Sequence, residues 1–194
     1  MNTKKITLIN ASPHKEGNCN FMLKYASDKL NSLGFETEII FLQDALICAK
    51  HPFCISCSTP CNQSCYKGTK LYDVLLKIEN CDGLIFASPV FFGTMSAQAK
   101  CLFDKTRAFR AKNAFTGKVA CAFSSGHSLF GGQEATIKAI HDCLLTDGFT
   151  IIGASSKEYG AGSFGVSSYN SAKDDKNAIS KIDLVCHRFY EELM

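Results

Sequence analysis

Short apolar runs alternate along the chain with longer stretches whose apolar residues recur every three or four positions. The runs predict five strands and the stretches predict five helices. The predicted strands are 5–9, 36–42, 83–88, 118–125 and 150–153, and the predicted helices are 21–33, 71–80, 95–109, 133–147 and 174–193. Strands that alternate with helices indicate a parallel sheet with helices on both faces.

The connections between parallel strands are right-handed crossovers, which leaves few possible topologies. For five strands the flavodoxin-like order 2-1-3-4-5 is a common one. The sequence therefore predicts one α/β domain over residues 1–194. Two stretches show neither the helical nor the strand period of apolar residues. Residues 43–70 form a long loop after the second strand, a length that usually signals function, and residues 158–170 are predicted to be a surface loop.

A polar loop joins the first strand to the first helix. Ser12, Asn18 and Asn20 supply donors, Lys15 supplies charge, and Gly17 lets backbone N–H groups turn inward. A helix N-terminus with such a loop is typical of a phosphate site. The loop matches neither the P-loop nor the dinucleotide fingerprint, and a plain turn with an N-cap is the alternative.

The loops after strands 3 and 4 are expected to converge on this first loop, at the carboxyl edge of the sheet. The loop after strand 3 offers a flat apolar wall, formed by Pro89, Val90, Phe91, Phe92, Gly93 and Thr94. The loop after strand 4 contains small residues that permit close approach to a planar ring, namely Ser125 and Gly126, followed by His127. A phosphate site, an apolar wall and permissive glycines suit FMN. The alternative is that Phe91 and Phe92 belong to the core.

Composition excludes several other classes of function. In 194 residues the hydrophobic fraction is 46% and the net charge is +3, too small to indicate nucleic acid or an anionic membrane as partner. No run is long enough to span a membrane or to form a signal peptide, so we expect a cytoplasmic protein.

The chain contains 11 cysteines, and four of them lie close together in the long loop. Cys54, Cys57, Cys61 and Cys65 are separated by two, three and three residues. Four thiolates suit a [4Fe–4S] cluster or tetrahedral zinc, and free or redox-active thiols are the third possibility. Cys48 and His51 are substitute ligands. The other cysteines are predicted to be packing residues, namely Cys81, Cys101, Cys121, Cys143 and Cys186.

These motifs resemble the flavodoxin-like NADPH-dependent FMN reductase superfamily, and more closely its iron–sulfur flavoprotein branch. The matching motifs are Ser12-Pro13-x-Lys15-x-Gly17-Asn18-Cys19, Ser88–Gly93, Ala97–Lys100, Phe103–Lys105, Gly131–Glu134 and Ile140–Asp142. His14 stands where a basic residue is more usual, and His127 where a second glycine is common. The branch has a C-x2-C-x2-C-x4–7-C motif in the same loop, so the second and third spacings here differ from it.

The resemblance implies tightly bound FMN. The phosphate would lie against Ser12, His14, Lys15, Gly17, Asn18, Cys19 and Asn20, with Pro89–Thr94 on one side of the isoalloxazine and Ser125–His127 on the other. Cys19 is expected either as a thiolate stabilised by the helix or as an S–H donor to the phosphate.

The expected function is electron transfer between a [4Fe–4S] cluster and FMN, with a small redox partner protein or NAD(P)H as donor and a homodimer or homotetramer as assembly. Two alternatives remain. One is an NAD(P)H-dependent FMN or quinone reductase without a cluster, and the other is a flavin- or zinc-binding redox sensor.

Overall fold

The computed structural model describes residues 3–194 and contains eight strands and seven helices. The strands are β1 (Lys5–Asn10), β2 (Glu36–Phe41), β3 (Gly83–Pro89), β4 (Val119–Gly126), β5 (Thr150–Ile151), β6 (Ala154–Ser156), β7 (Gly160–Ser163) and β8 (Val166–Tyr169). The helices are α1 (Asn18–Ser32), α2 (Leu42–Leu46), α3 (Lys70–Asn80), α4 (Ala97–Asp104), α5 (Arg107–Ala111), α6 (Gln133–Thr146) and α7 (Lys176–Leu193). None of these helices is long and apolar enough to cross a membrane.

The main sheet has the strand order β2-β1-β3-β4-β5, and every pair along it is parallel. This confirms the predicted flavodoxin-like topology. Side chains of β1 alternate between the two faces. Ile6 and Leu8 pack with α1 and α7, whereas Ile9 packs on the opposite face with α3, α4 and α6. Burial on both faces explains why the central strands are almost continuously apolar.

The fifth position of the sheet is shared by two short strands. β5 pairs with Val119 and Ala120, and β8 pairs in parallel with residues 123–126 farther along β4. The antiparallel β6–β7 pair lies between them in the chain. Glycine permits the return to the sheet, because a Cβ on Gly165 would lie 2.2 Å from the Ala122 carbonyl oxygen. The prediction that residues 158–170 form a surface loop is therefore wrong.

The stretch predicted as one helix over residues 95–109 is divided into α4 and α5 by Lys105 and Thr106. The Thr106 hydroxyl lies 2.8 Å from the Phe103 carbonyl and 2.9 Å from the Asp147 carboxylate, so it caps the end of α4. Lys105 turns inward and is 1% exposed.

Two other boundaries differ from the predictions. α1 begins at Asn18, three residues before the predicted start, and the long loop begins with α2, whose buried residues are Leu42, Ala45 and Leu46. Five residues give only one helical turn, too few for the apolar period to indicate a helix from sequence.

Candidate functional site

Three loops meet at the carboxyl edge of the sheet, as the strand order predicts. The Val90 amide donates to the Ser125 carbonyl at 2.9 Å, which joins the loops after β3 and β4. Gly132 adopts φ +96°, and a Cβ there would lie 3.2 Å from Gly93 Cα. The two loops therefore touch through glycine backbone, and a larger residue at position 132 would separate them.

Ser96 holds the first of these loops against the second. Its hydroxyl donates to the Ala11 carbonyl at 2.7 Å and accepts from the Ala99 amide at 3.2 Å, which caps α4. The Ser96 amide donates in turn to the Ser88 hydroxyl at 2.9 Å. All the side chains in this set are buried, so the frame of the site is rigid where the loops cross.

The loop after β1 is built from short polar side chains that bond its own backbone. The Ser12 amide donates to Asn10 Oδ1, and the His14 amide donates to Ser12 Oγ, each at 3.0 Å. These bonds turn the chain at the start of α1. Within residues 3–194 the first backbone N–H groups of α1, those of residues 18–20, have no acceptor. A helix N-terminus with free N–H groups favours an anion.

Two side chains predicted at the phosphate instead contact protein groups. Lys15 pairs with Asp44 of α2 at 3.1 Å, with both side chains largely exposed, and its ammonium lies 5.3 Å from the Phe41 ring centroid. Asn20 Nδ2 donates to Glu16 Oε2 at 3.2 Å. An exposed ion pair contributes little, so Lys15 remains free to change partner.

Asn18 fastens a distant segment to the start of α1. Its Nδ2 donates to the Asn170 carbonyl at 2.6 Å, and its Oδ1 accepts from the Ala172 amide at 3.1 Å. The Asn170 amide donates to the Gly126 carbonyl at the end of β4, at 2.9 Å. The segment 170–172 thus closes the edge between α1 and β4. This contact could not be predicted from the sequence, because it joins residues more than 150 positions apart.

Cys19 lies in the core rather than on the loop surface. It is 2% exposed and packs beside Met22 and Leu23. Burial raises the pKa of its thiol to about 12, so the thiol stays protonated at neutral pH. Of the two states expected for Cys19, the fold favours the S–H group and disfavours the thiolate.

The loop after β3 is a tight turn that displays an aromatic ring. Phe91 and Thr94 exchange two backbone hydrogen bonds, at 2.9 and 3.1 Å, and the two residues between them, Phe92 and Gly93, have φ of 51° and 78°. These angles are typical of a type I′ turn, which is strained for phenylalanine. Phe92 is fully exposed and Phe91 is 40% exposed, so the alternative that both belong to the core is wrong.

The loop after β4 places a second exposed aromatic ring, that of Phe130, at the same edge. Gln133 supports the loop from the first turn of α6, where its Nε2 donates to the Ser128 carbonyl at 2.7 Å. Ser125 is buried at the end of β4, whereas His127 is exposed. A cavity of about 510 Å³ lies beside this loop, with Phe130, Gln133 and Tyr169 in its lining.

Cys54, Cys57, Cys61 and Cys65 in the long loop are partly or fully exposed and unpaired, as is Cys48. Their environment contrasts with that of Cys81, Cys121 and Cys186, which are buried as predicted, while Cys101 and Cys143 are half-buried. In the part of the chain that the structure describes, no three His, Cys, Asp or Glu side chains are close enough to hold a metal ion. The loop thus carries the thiols without gathering them around one point.

Two cations reach this loop, Lys105 from the turn between α4 and α5 and Arg107 from the start of α5, and neither contact was predicted from the sequence. The buried Lys105 ammonium donates to Cys65 Sγ at 3.4 Å. Arg107 Nη1 lies 4.0 Å from Cys54 Sγ. The Ser56 amide also donates to Cys54 Sγ, at 3.4 Å. Both cations lie in a stretch whose pattern is that of one amphipathic helix. That pattern does not indicate that their side chains turn toward the cysteine loop.

An open cavity of about 610 Å³ adjoins the cysteine loop, with Cys54, Arg107 and Asp147 in its lining. Burial raises the pKa of Asp147 to about 6, although the Thr106 hydroxyl and Arg110 oppose that shift. The carboxyl group is therefore poised to titrate just below neutral pH.

Comparison with known proteins places this architecture in a family. The family described as NADPH-dependent FMN reductase matches residues 4–157. The chain is 35% identical over 173 residues to an iron–sulfur flavoprotein of Methanosarcina thermophila, covering 88% of this chain and 85% of the relative. It is 36% identical over 151 residues to an iron–sulfur flavoprotein of Methanocaldococcus jannaschii, covering 77% and 76%.

Solved structures show the same fold at lower identity. The apo form of an NADH:FMN oxidoreductase, EMOB, has a TM-score of 0.73 at 17% identity, covering 99% of this chain and 91% of that one. An archaeal flavodoxin has a TM-score of 0.60 at 15% identity, covering 96% and 99%. The chain therefore belongs to the NADPH-dependent FMN reductase family, within its iron–sulfur flavoprotein branch, and is a flavin-dependent oxidoreductase.

Proposed function

We propose that the protein binds FMN at the carboxyl edge of the sheet and passes electrons between that flavin and a [4Fe–4S] cluster held by Cys54, Cys57, Cys61 and Cys65. One observation carries the cluster assignment. The loop with four free thiols is met by two cations, Lys105 and Arg107, that form no ion pair with a carboxylate anywhere in residues 3–194.

The residues at the carboxyl edge fit FMN. The phosphate takes the free N–H groups at the start of α1, where the helix dipole and Ser12 favour an anion. Asn18 acts by fixing the 170–172 segment rather than by contacting the phosphate. The turn of residues 89–94 and the loop of residues 125–127 would hold the isoalloxazine between them. The contact between Gly93 and Gly132, farther along the second loop, sets the spacing of the two loops.

The cysteine loop fits a four-thiolate centre in its chemistry. Cys61 and Cys65 both lie near Tyr66, and burial raises the pKa of the Tyr66 phenol, with negative charge on the two cysteines acting in the same direction. The Lys50 amide holds the loop by donating to the Cys65 carbonyl at 2.9 Å. When bound, the flavin exchanges electron pairs with a hydride donor and single electrons with a cluster. The chain would hold both groups, and Lys105 and Arg107 would offset the negative charge of the thiolates beside them.

Helix α4 separates the two proposed sites. It begins at the carboxyl edge and ends at the turn that carries Lys105, and its eight residues span about 12 Å. We therefore propose that the protein works as a homodimer or homotetramer, in which the cysteine loop of one copy faces the flavin of another. NAD(P)H or a small redox protein is the proposed electron donor.

Anaerobic purification with quantification of iron, sulfide and flavin tests the proposal. We expect stoichiometric FMN together with about four irons and four sulfides per chain. Replacement of Cys57 and Cys61 by serine should remove the iron and leave the flavin. The matched control is Cys101→Ser, a half-buried thiol on α4 outside the loop, which should retain both.

Other outcomes would contradict the cluster assignment or support one of the two alternative functions. Iron that is unchanged in the Cys57/Cys61 double variant would overturn the ligand assignment. Flavin without metal, together with rapid NAD(P)H oxidation by a quinone, would support a reductase without a cluster. Stoichiometric zinc without turnover would support a redox sensor. Sedimentation equilibrium of the holoprotein tests the assembly, and a monomer at micromolar concentration would contradict it.

A further inference from the structure

Lys105 is buried next to the cysteine loop, and within residues 3–194 its ammonium has a thiol and an aromatic ring as its only partners. It is 1% exposed, its ammonium lies 3.4 Å from Cys65 Sγ, and it lies 5.7 Å from the centroid of the Tyr66 ring. Among the ion pairs of residues 3–194, none includes Lys105. A charged ammonium in this position therefore lacks a neutralising group among the described residues.

Arg107 repeats the arrangement two residues later. Its guanidinium donates to Ser56 Oγ and to Thr59 Oγ1, each at 3.3 Å, and lies 4.0 Å from Cys54 Sγ. All the acceptors of Arg107 thus belong to the cysteine loop, and none is a carboxylate. Lys105 from the turn and Arg107 from the start of α5 therefore reach the same loop, near Cys65 and Cys54 respectively.

A lone buried cation is costly, and such groups are normally paired with an anion. A simple packing role for Lys105 would be served better by an uncharged side chain of the same length. A cation–π contact with tyrosine offsets only part of the cost. The counter-charge that suits the position is the negative charge of a four-thiolate cluster, which Cys65 would help to hold.

We propose that Lys105, supported by Arg107, is a positioning residue that sets the reduction potential of the cluster. The inference rests on the proposed function. Each electron arriving from the reduced flavin adds one negative charge to the cluster, and no bond forms or breaks. A fixed positive charge against Cys65 stabilises the more negative, reduced state more than the oxidised state. The Lys105 ammonium therefore raises the potential and favours transfer from flavin to cluster.

The two cations differ in exposure, so they should respond differently to salt. Lys105 is sealed from solvent, whereas Arg107 is partly exposed. Salt screens exposed charges strongly and buried ones weakly. The effect of Lys105 on the potential should therefore persist at high ionic strength, while the smaller effect of Arg107 should shrink.

The test is a redox titration of the anaerobically purified holoprotein, monitored by electron paramagnetic resonance of the reduced cluster. In Lys105→Met the ratio of reduced to oxidised cluster at a fixed potential should fall at least tenfold, about 59 mV for one electron. Lys105→Arg retains the charge and should restore the wild-type value. The matched control is Lys112→Met, a lysine over the Phe109 ring that pairs with Glu79 and should leave the potential unchanged.

Iron content and circular dichroism accompany each titration. Loss of iron from Lys105→Met with retention in Lys105→Arg supports the requirement for charge at that position. Equal loss from both variants, with the fold intact, would mean that shape rather than charge matters and would overturn the proposal. If Lys105→Met does not fold, Arg107→Gln carries the test, and it should lower the potential less, with an effect that salt reduces.

An unchanged potential in iron-loaded Lys105→Met would overturn the inference while leaving the proposed function intact. Wild-type protein without iron would instead overturn the proposed function. The two failures are therefore distinguished by the iron content of the wild type.

Discussion

The Ser96 hydroxyl joins the β1–α1 loop to the start of α4, and Ser96→Ala removes both of its bonds. Loss of the helix cap costs about 1 kcal/mol. The Ala11 carbonyl then lacks its side-chain donor, which costs about 1–3 kcal/mol for a buried group. The free energy of unfolding should fall by about 2–4 kcal/mol. In a domain of this size, that change lowers the melting temperature by roughly 6–12 °C.

Ser32→Ala is the matched control, because it makes the same chemical change at an exposed site. The Ser32 hydroxyl donates to the Lys29 carbonyl at 2.7 Å in the last turn of α1, so its loss should change the unfolding free energy by less than about 0.5 kcal/mol. Urea unfolding of flavin-free protein measures both variants. Equal effects for the two variants would show that the Ser96 bonds do not hold the loops together.

The same pair of variants reports on the flavin site. FMN binds the folded state and raises the unfolding free energy by an amount that depends on its affinity. If Ser96 fixes the frame of the site, excess FMN should stabilise Ser96→Ala less than wild type. A constant difference between the two proteins with and without FMN would contradict a role for this frame in binding.

Three further changes test other parts of the molecule. Phe92→Gly relieves a positive φ at an exposed ring, so it should stabilise the flavin-free protein by up to about 1 kcal/mol in thermal unfolding while weakening FMN binding in a fluorescence titration. The raised pKa of Asp147 means that its protonated carboxyl stabilises the fold at low pH, and this contribution is lost as the pH rises from 3.8 through about 6. Asp147→Asn should therefore gain stability relative to wild type over that interval in urea unfolding, and a difference independent of pH would contradict the assignment. Asn18→Leu removes both side-chain bonds to the 170–172 segment, so hydrogen exchange at the Ala172 amide should quicken at least tenfold.

The sheet could be predicted from sequence because each long strand is an apolar run followed by an amphipathic helix. The fifth position could not, because it depends on tertiary pairing. β8 reads Val-Ser-Ser-Tyr and has one aliphatic residue, Val166, so its strand character comes from pairing with β4 rather than from a period of its own.

Those parts of the candidate site that depend on backbone conformation could be predicted from the sequence. The hydrogen-bond and ion-pair partners of its side chains could not. Ser12 and Gly17 lie on the expected loop. Lys15 and Asn18 bond groups 29 and 152 positions away, on elements whose approach only the folded chain defines. The buried position of Lys105 could not be predicted either, because a lysine in a helical pattern is ordinarily exposed to solvent.

β5 and β8 occupy the same position in the sheet and together act as one strand. Residues 152–165 are therefore an insertion that interrupts this strand. The strand resumes its pairing after the insertion, so the sheet order does not depend on the inserted length. β8 then leads directly to the 170–172 segment that Asn18 fastens at the carboxyl edge. Such an arrangement allows the hairpin to be exchanged or grafted as a module while the rest of the scaffold is retained.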